Sequence, residues 1–232
     1  MPVLYTLNGK VVYDLTDRDR VWLVNISGHD EIRLGLSEDS PLDSELYNFD
    51  IRYDGWRSAT GLNWQRIFGD LGVGLFGITH SEARTRQQVK DLVRDGLPPP
   101  EVPVDDVIAG SPVVFSDDSR EGETTLKYDL TVRTPVVDKV QVGGTVKIFN
   151  VRYDSAAPFG TDNPFSPVAD LNAFDIRQAF TTYQTGFYVQ GSESLTRRLE
   201  VTAGARVDDY RSLTSTRVWP RAALNYKLAP GV

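Results

Sequence analysis

The stretch Tyr188–Ser212 carries the pattern that most narrows what this chain can become. From Leu199, one side of an extended zigzag holds Leu199, Val201, Ala203, Ala205 and Val207. The other side holds Glu200, Thr202, Gly204, Arg206 and Asp208. Period-two alternation of this kind makes a β-strand with one apolar and one polar face. The question it poses is whether the apolar face meets a protein core or lipid.

Read for the same period, the sequence predicts about nine strands, near 4–15, 20–33, 56–68, 71–85, 123–134, 140–154, 179–195, 199–211 and 217–228. Most exceed the roughly 5–6 residues of a soluble strand. They suit a tilted membrane strand of about 9–11 residues with an extension into water. The connections alternate in length. Thr16–Asp19, Gly69-Asp70, Pro135–Lys139, Thr196–Arg198 and Ala229–Gly231 are short and rich in turn formers. Between them lie long polar connections near 34–55, 86–122 and 155–178, and a shorter one near 212–216. Tight turns at one end and long loops at the other are the rhythm of an up-and-down outer-membrane barrel. A soluble β-sandwich has short strands at about 8–12-residue spacing and no such alternation of loop length. In the longest loop, Arg86–Gly96 predicts a short helix with Val89, Leu92 and Val93 on one side, followed by an extended Leu97–Pro103.

The strand faces agree with a barrel. The fifth strand sets Leu126, Tyr128, Leu130 and Val132 against Lys127, Asp129, Thr131 and Arg133. The sixth sets Val140, Val142, Val146 and Ile148 against Gln141, Thr145 and Lys147, and the ninth sets Ala222, Leu224, Tyr226 and Leu228 against Arg221, Asn225 and Lys227. Charges of both signs stay hydrated inside a wide lumen, whereas burial in a sandwich core would cost several kcal/mol each. On a sandwich's outer surface they would be ordinary, so the loop rhythm breaks the tie. Trp22, Trp56, Trp64, Tyr183, Phe187, Trp219 and Tyr226 lie on strands, several near their ends, as an interfacial girdle requires.

Composition removes other classes. With 40% hydrophobic and 25% charged residues the chain is neither disordered nor a helical membrane protein. No apolar run approaches the roughly 18 residues of a spanning helix, a test blind to barrel strands. A net charge of −7 without a basic cluster argues against nucleic acid, and the absence of cysteine excludes disulfides and thiolate metal sites. No signal peptide is read at the N-terminus.

The chemical motifs are weak. Gly72–Gly77 matches a dinucleotide-binding glycine pattern but sits within a predicted strand, with no helix beginning inside it. His80-Ser81-Glu82 lacks the cysteine pair that would complete a zinc site, and His29 and His80 are expected at exposed polar positions near loop ends. Asp105-Asp106 and Asp117-Asp118 are expected as solvated loop charge rather than cation ligands. No catalytic residue, metal site or cofactor is expected.

Residues 183–210 and 219–231 resemble the barrel of TonB-dependent outer-membrane receptors. The resemblance rests on Tyr188, Gln190, Leu195, Thr196, Arg198, Leu199, Val201, Gly204, Arg206 and Asp208, then Pro220, Arg221, Leu224 and Tyr226. Residues 5–28 look like an earlier hairpin of the same barrel.

The resemblance implies an all-β, antiparallel up-and-down transmembrane barrel in a bacterial outer membrane. In that family the barrel has 22 strands and an N-terminal plug. The expected function is uptake of a scarce ligand (an iron chelate, cobalamin or an oligosaccharide), driven by contact of the plug with TonB. Expected partners are outer-membrane lipid, the rest of the barrel and plug, the TonB complex and the ligand. Residues 1–232 are expected to be a single incomplete barrel segment without plug or signal peptide, and not an enzyme. Lys127, Asp129, Arg133, Arg206, Asp208 and Arg221 are the lumen-facing candidates for substrate contact, with pairing inside the wall as their competing role. A self-contained porin or barrel enzyme and a secreted β-sandwich binding module are the alternatives.

Overall fold

The computed structural model describes residues 2–35, 48–93, 101–157 and 174–228. Within them the chain forms β1 (Val3–Asp14), β2 (Asp19–Leu34), β3 (Phe49–Ile67), β4 (Gly72–Asp91), α1 (Val104–Gly110), β5 (Val113–Val132), β6 (Lys139–Ala157), β7 (Phe174–Ser194), β8 (Leu199–Tyr210) and β9 (Ser215–Tyr226). All nine strands make one sheet in sequence order, each antiparallel to the next. β1 pairs only with β2 and β9 only with β8, so the described sheet is open at both edges.

The short turns follow from side-chain chemistry. Between β1 and β2 the Thr16 hydroxyl accepts the N–H groups of Arg18 and Asp19 at 3.2 and 3.0 Å. Between β7 and β8 Thr196 does the same for Arg198 and Leu199 at 3.2 and 3.0 Å. The Thr134 hydroxyl accepts the Val137 N–H at 3.0 Å between β5 and β6. A threonine that satisfies turn amides fixes hairpin register, so one chemistry closes three hairpins. Between β3 and β4 the turn instead uses Gly69 at φ +62°, a conformation that favours glycine. Ala229–Gly231 lie outside the described residues.

At the other end the strands run further than the sequence predicts. β3 begins at Phe49 rather than near 56, β4 continues to Asp91, β5 begins at Val113 rather than near 123, and β7 begins at Phe174. The predicted helix over 86–96 is overturned, because Arg86–Asp91 belong to β4. Their backbone is held from both sides, with Val89 opposite Ile51 of β3 and Phe115 of β5. A two-sided ladder outweighs the helical spacing of three apolar residues. The helix lies instead at Val104–Gly110, with Asp105 and Asp106 in its first turn, where the helix dipole favours them. Gly96 and Leu97–Pro100 fall outside the described residues. Asp117 and Asp118 are likewise strand residues of β5, not loop residues.

Cross-strand partners share a face of the sheet. Phe76, Tyr128, Gly144, Phe187, Val207 and Val218 form one continuous outward row from β4 to β9. This apolar face is open and the polar face is sheltered. Leu224 is 75% exposed, whereas Asp208 is 4% exposed. That inversion is what a wall between lipid and a polar lumen requires. Among the described residues the buried hydrophobics are Val89, Leu92, Ile108, Val114 and Ala157, all at the long-loop end.

Candidate ligand-facing wall

The polar face is assembled by register. Asp129 of β5, Gly143 of β6 and Tyr188 of β7 lie in one row, followed by Arg206 of β8 and Trp219 of β9. The Tyr188 ring crosses Gly143 so that its hydroxyl donates to Asp129 at 2.7 Å. A Cβ at Gly143 would collide with both the ring and the carboxylate. Glycine in the central strand is therefore what lets a tyrosine bridge two strands. Asp129 also holds the Lys127 ammonium at 2.8 Å. The Arg221 guanidinium stands 5.9 Å from the centroid of the same ring, within cation–π range.

Beside this chain Arg206 is paired with Asp208, its nitrogens 2.7–2.9 Å from the carboxylate. They lean over Gly186, where a Cβ would strike both side chains. The pair is sheltered, and a charge so placed needs its partner. One row towards the turns, Gln190 donates to Gln141 at 2.6 Å and Gln141 to Thr131 at 3.2 Å. Towards the loops, Lys147 meets Glu123 at 2.9 Å and the Tyr153 hydroxyl donates to Glu121 at 2.6 Å.

Five of the six candidates, Lys127, Asp129, Arg206, Asp208 and Arg221, thus share one face and one patch. Arg133 does not join them. It lies past the end of β5, where its N–H donates to the Leu71 carbonyl at 2.8 Å. Tyr188, the residue that links the patch, was missed as a site residue. Its role depends on Gly143 being opposite, and that requires the strand pairing. The patch offers donors and acceptors to a polar ligand.

Other expectations divide. Gly72–Gly77 are all within β4, and the Asp54 carboxylate lies 2.8 Å from His29 Nε2. His80 bonds Thr124 at 2.9 Å from mid-strand rather than near a loop end. Of the seven girdle aromatics, Trp56, Trp64, Tyr183, Phe187 and Tyr226 lie on the apolar face, but Trp22 and Trp219 share a face with Asn63 and Arg206. Those two point inward, because their strand positions have the opposite parity.

The model of the TonB-dependent receptor-like β-barrel family matches residues 4–232. The chain belongs to that family. Its members are receptors and transporters of the bacterial outer membrane.

Solved structures agree in fold. The siderophore receptor PirA from Acinetobacter baumannii has a TM-score of 0.63 at 15% identity, over 99% of this chain and 32% of its own. The ferripyoverdine receptor of Pseudomonas aeruginosa has 0.61 at 15%, over 97% and 32%. The copper transporter OprC has 0.56 at 13%, over 98% and 34%. Identities this low show the fold alone, and the chain spans about a third of each matched structure. No curated protein matches the sequence.

Proposed function

We propose that residues 1–232 are one segment of the wall of an outer-membrane receptor that captures a scarce ligand and passes it inward by contact with TonB. The observation that carries this reading is the connected patch Lys127–Asp129–Tyr188–Arg221 with Arg206–Asp208, on a sheet whose apolar side faces out. The open edges supply a second argument. Unpaired backbone groups along β1 and β9 would each cost several kcal/mol in hydrocarbon, so further strands must flank both. The plug that contacts TonB comes from the rest of the receptor. Iron chelates, cobalamin and oligosaccharides are the ligand classes for this site.

The test is deletion of the encoding gene in the native host, followed by uptake assays. Labelled ferric chelates, cobalamin and oligosaccharides are supplied with and without a protonophore. Loss of energised uptake of one class is expected, restored by the intact gene. Unchanged uptake of every class, or loss of only passive, protonophore-insensitive entry, would overturn the reading.

A further inference from the structure

Between the Tyr188 bridge and the turns, side-chain length hollows out the polar face. One row runs Thr131, Gln141, Gln190, Gly204 and Arg221 from β5 to β9. The next row towards the turns runs Lys139, Ser192, Thr202 and Ala223, and the one beyond sets Glu200 opposite Asn225. Short side chains at the centre of the middle row are thus bordered by long ones. The result is a basin of about 670 Å³. Its floor is closed, because Ser192 is 4% exposed and its hydroxyl lies 2.7 Å from that of Thr202. Its loop-side border is held by the Gln190–Gln141–Thr131 hydrogen bonds.

Unpaired charge sets the basin apart from the patch around Tyr188. There, Lys127 and Arg206 each have a carboxylate partner, at 2.8 and 2.7 Å. Lys139 and Glu200 are half-buried, and among the described residues neither side chain has an ion-pair or hydrogen-bond partner. Two strand spacings of about 4.8 Å and two residues at about 3.3 Å separate them, roughly 12 Å between Cα positions. A half-buried charge without a counter-ion is stabilised by whatever polar group reaches it. A group lying between these two must accept from an ammonium and donate to a carboxylate. The carboxamides of Gln190 and Asn225 on the border also demand both roles. A hydroxyl fills both at once, whereas a bare anion would be repelled by Glu200 and a bare cation by Lys139.

We propose that this basin is a second contact site for the transported ligand, on the turn side of the Tyr188 patch, and that it takes a hydroxyl-rich face, that of a saccharide or of a hydroxylated iron chelate. The inference rests on the transport reading above. Arg221 borders both sites, so a ligand leaving the patch reaches the basin without leaving the wall.

The test uses the whole receptor in its native host, with labelled hydroxylated ferric chelates, oligosaccharides and cobalamin as probes. Surface binding is measured on cells de-energised with a protonophore, and initial uptake on energised cells. K139Q/E200Q, and separately Ala223→Phe, which fills the hollow, should lower the uptake rate about fivefold and leave surface binding within about twofold. Heat-modifiable gel mobility checks that both variants fold. Whether chelate or oligosaccharide uptake falls names the source of the hydroxyls. Unchanged uptake in both variants overturns the proposal, as does equal loss of binding and uptake, or energised uptake of cobalamin alone. So does new entry of a large glycopeptide antibiotic through the variants, which would make the basin a seat for the plug. Absence of energised uptake by the unaltered receptor overturns the transport reading and this proposal with it, whereas the other outcomes leave that reading standing.

Discussion

Val146 and Val89 are both valines on long antiparallel strands of the same sheet, yet one is 38% exposed and the other 0%. Val146 lies on the turn-side half of β6, facing outward beside Leu126. Val89 lies at the loop-side end of β4, in the part of the molecule that also buries Leu92, Ile108 and Val114. In the wall we propose, the first region needs no core, because an exposed apolar side chain loses nothing in hydrocarbon. The second stands in water and must bury its apolar groups against protein. There α1 supplies Ile108, and Lys90 ties the helix down by donating to the Ile108 carbonyl at 2.6 Å. The same residue type therefore reports which solvent surrounds it.

The contrast can be broken by charge. Val146→Arg should destabilise the folded wall by about 2–4 kcal/mol in reversible folding into bilayers. Asn150→Arg, two outward positions further along β6, should cost under about 1 kcal/mol. Equal costs would erase the boundary between the regions. Next in size, Ile108→Ala should cost about 2 kcal/mol, confined to the loop end. Hydrogen exchange should rise near Val89 and Val114 and stay unchanged at Val142; a rise across the whole sheet would contradict the division.

Tyr188→Phe removes the hydroxyl from Asp129 but leaves Lys127 in place, so a loss of about 1 kcal/mol is expected in the same folding assay. No loss would mean that the bridge across Gly143 contributes nothing.

The smallest effect lies in the turns. Hydrogen bonds from the Ser194 side chain and backbone hold the Asp138 carboxyl below the ordinary carboxylate range. A depressed folded pKa contributes stability that is present above the unfolded value of about 3.9 and is lost as pH falls through the folded value. The Ser194 amide shift should titrate with a midpoint below about 3.9, and Asp138→Asn should abolish the transition. A midpoint at or above that value would contradict the contact.

The sequence revealed the turn-side half because lipid and lumen impose opposite polarities on alternate residues. Leu199–Asp208 and Leu126–Val132 show that alternation plainly, and the threonine turns mark where it stops. It failed at the loop side for the same reason. In Glu82–Gln88 both faces meet water, so charge replaces alternation and a strand loses its signature. Three apolar residues near 89–93 then mimicked a helix, whereas the real partners of Val89, Ile51 and Phe115, are distant in sequence. The candidate patch was legible in its charges but not in its geometry. Parity named Lys127, Asp129, Arg206, Asp208 and Arg221, while Tyr188 and Gly143 acquire a role only through register. Arg133 was included because parity does not say where a strand ends.

The central claim is that alternate residues of the turn-side half face lipid and lumen. The chain carries no cysteine, so single cysteines can be placed along residues 140–148 without background from this segment. Spin labels at these positions, in the receptor reconstituted in bilayers, report collision with oxygen from lipid and with a nickel chelate from water. Oxygen accessibility should peak at 140, 142, 146 and 148, and chelate accessibility at 141, 145 and 147. Profiles that do not alternate, or that alternate with the opposite phase, would contradict the account.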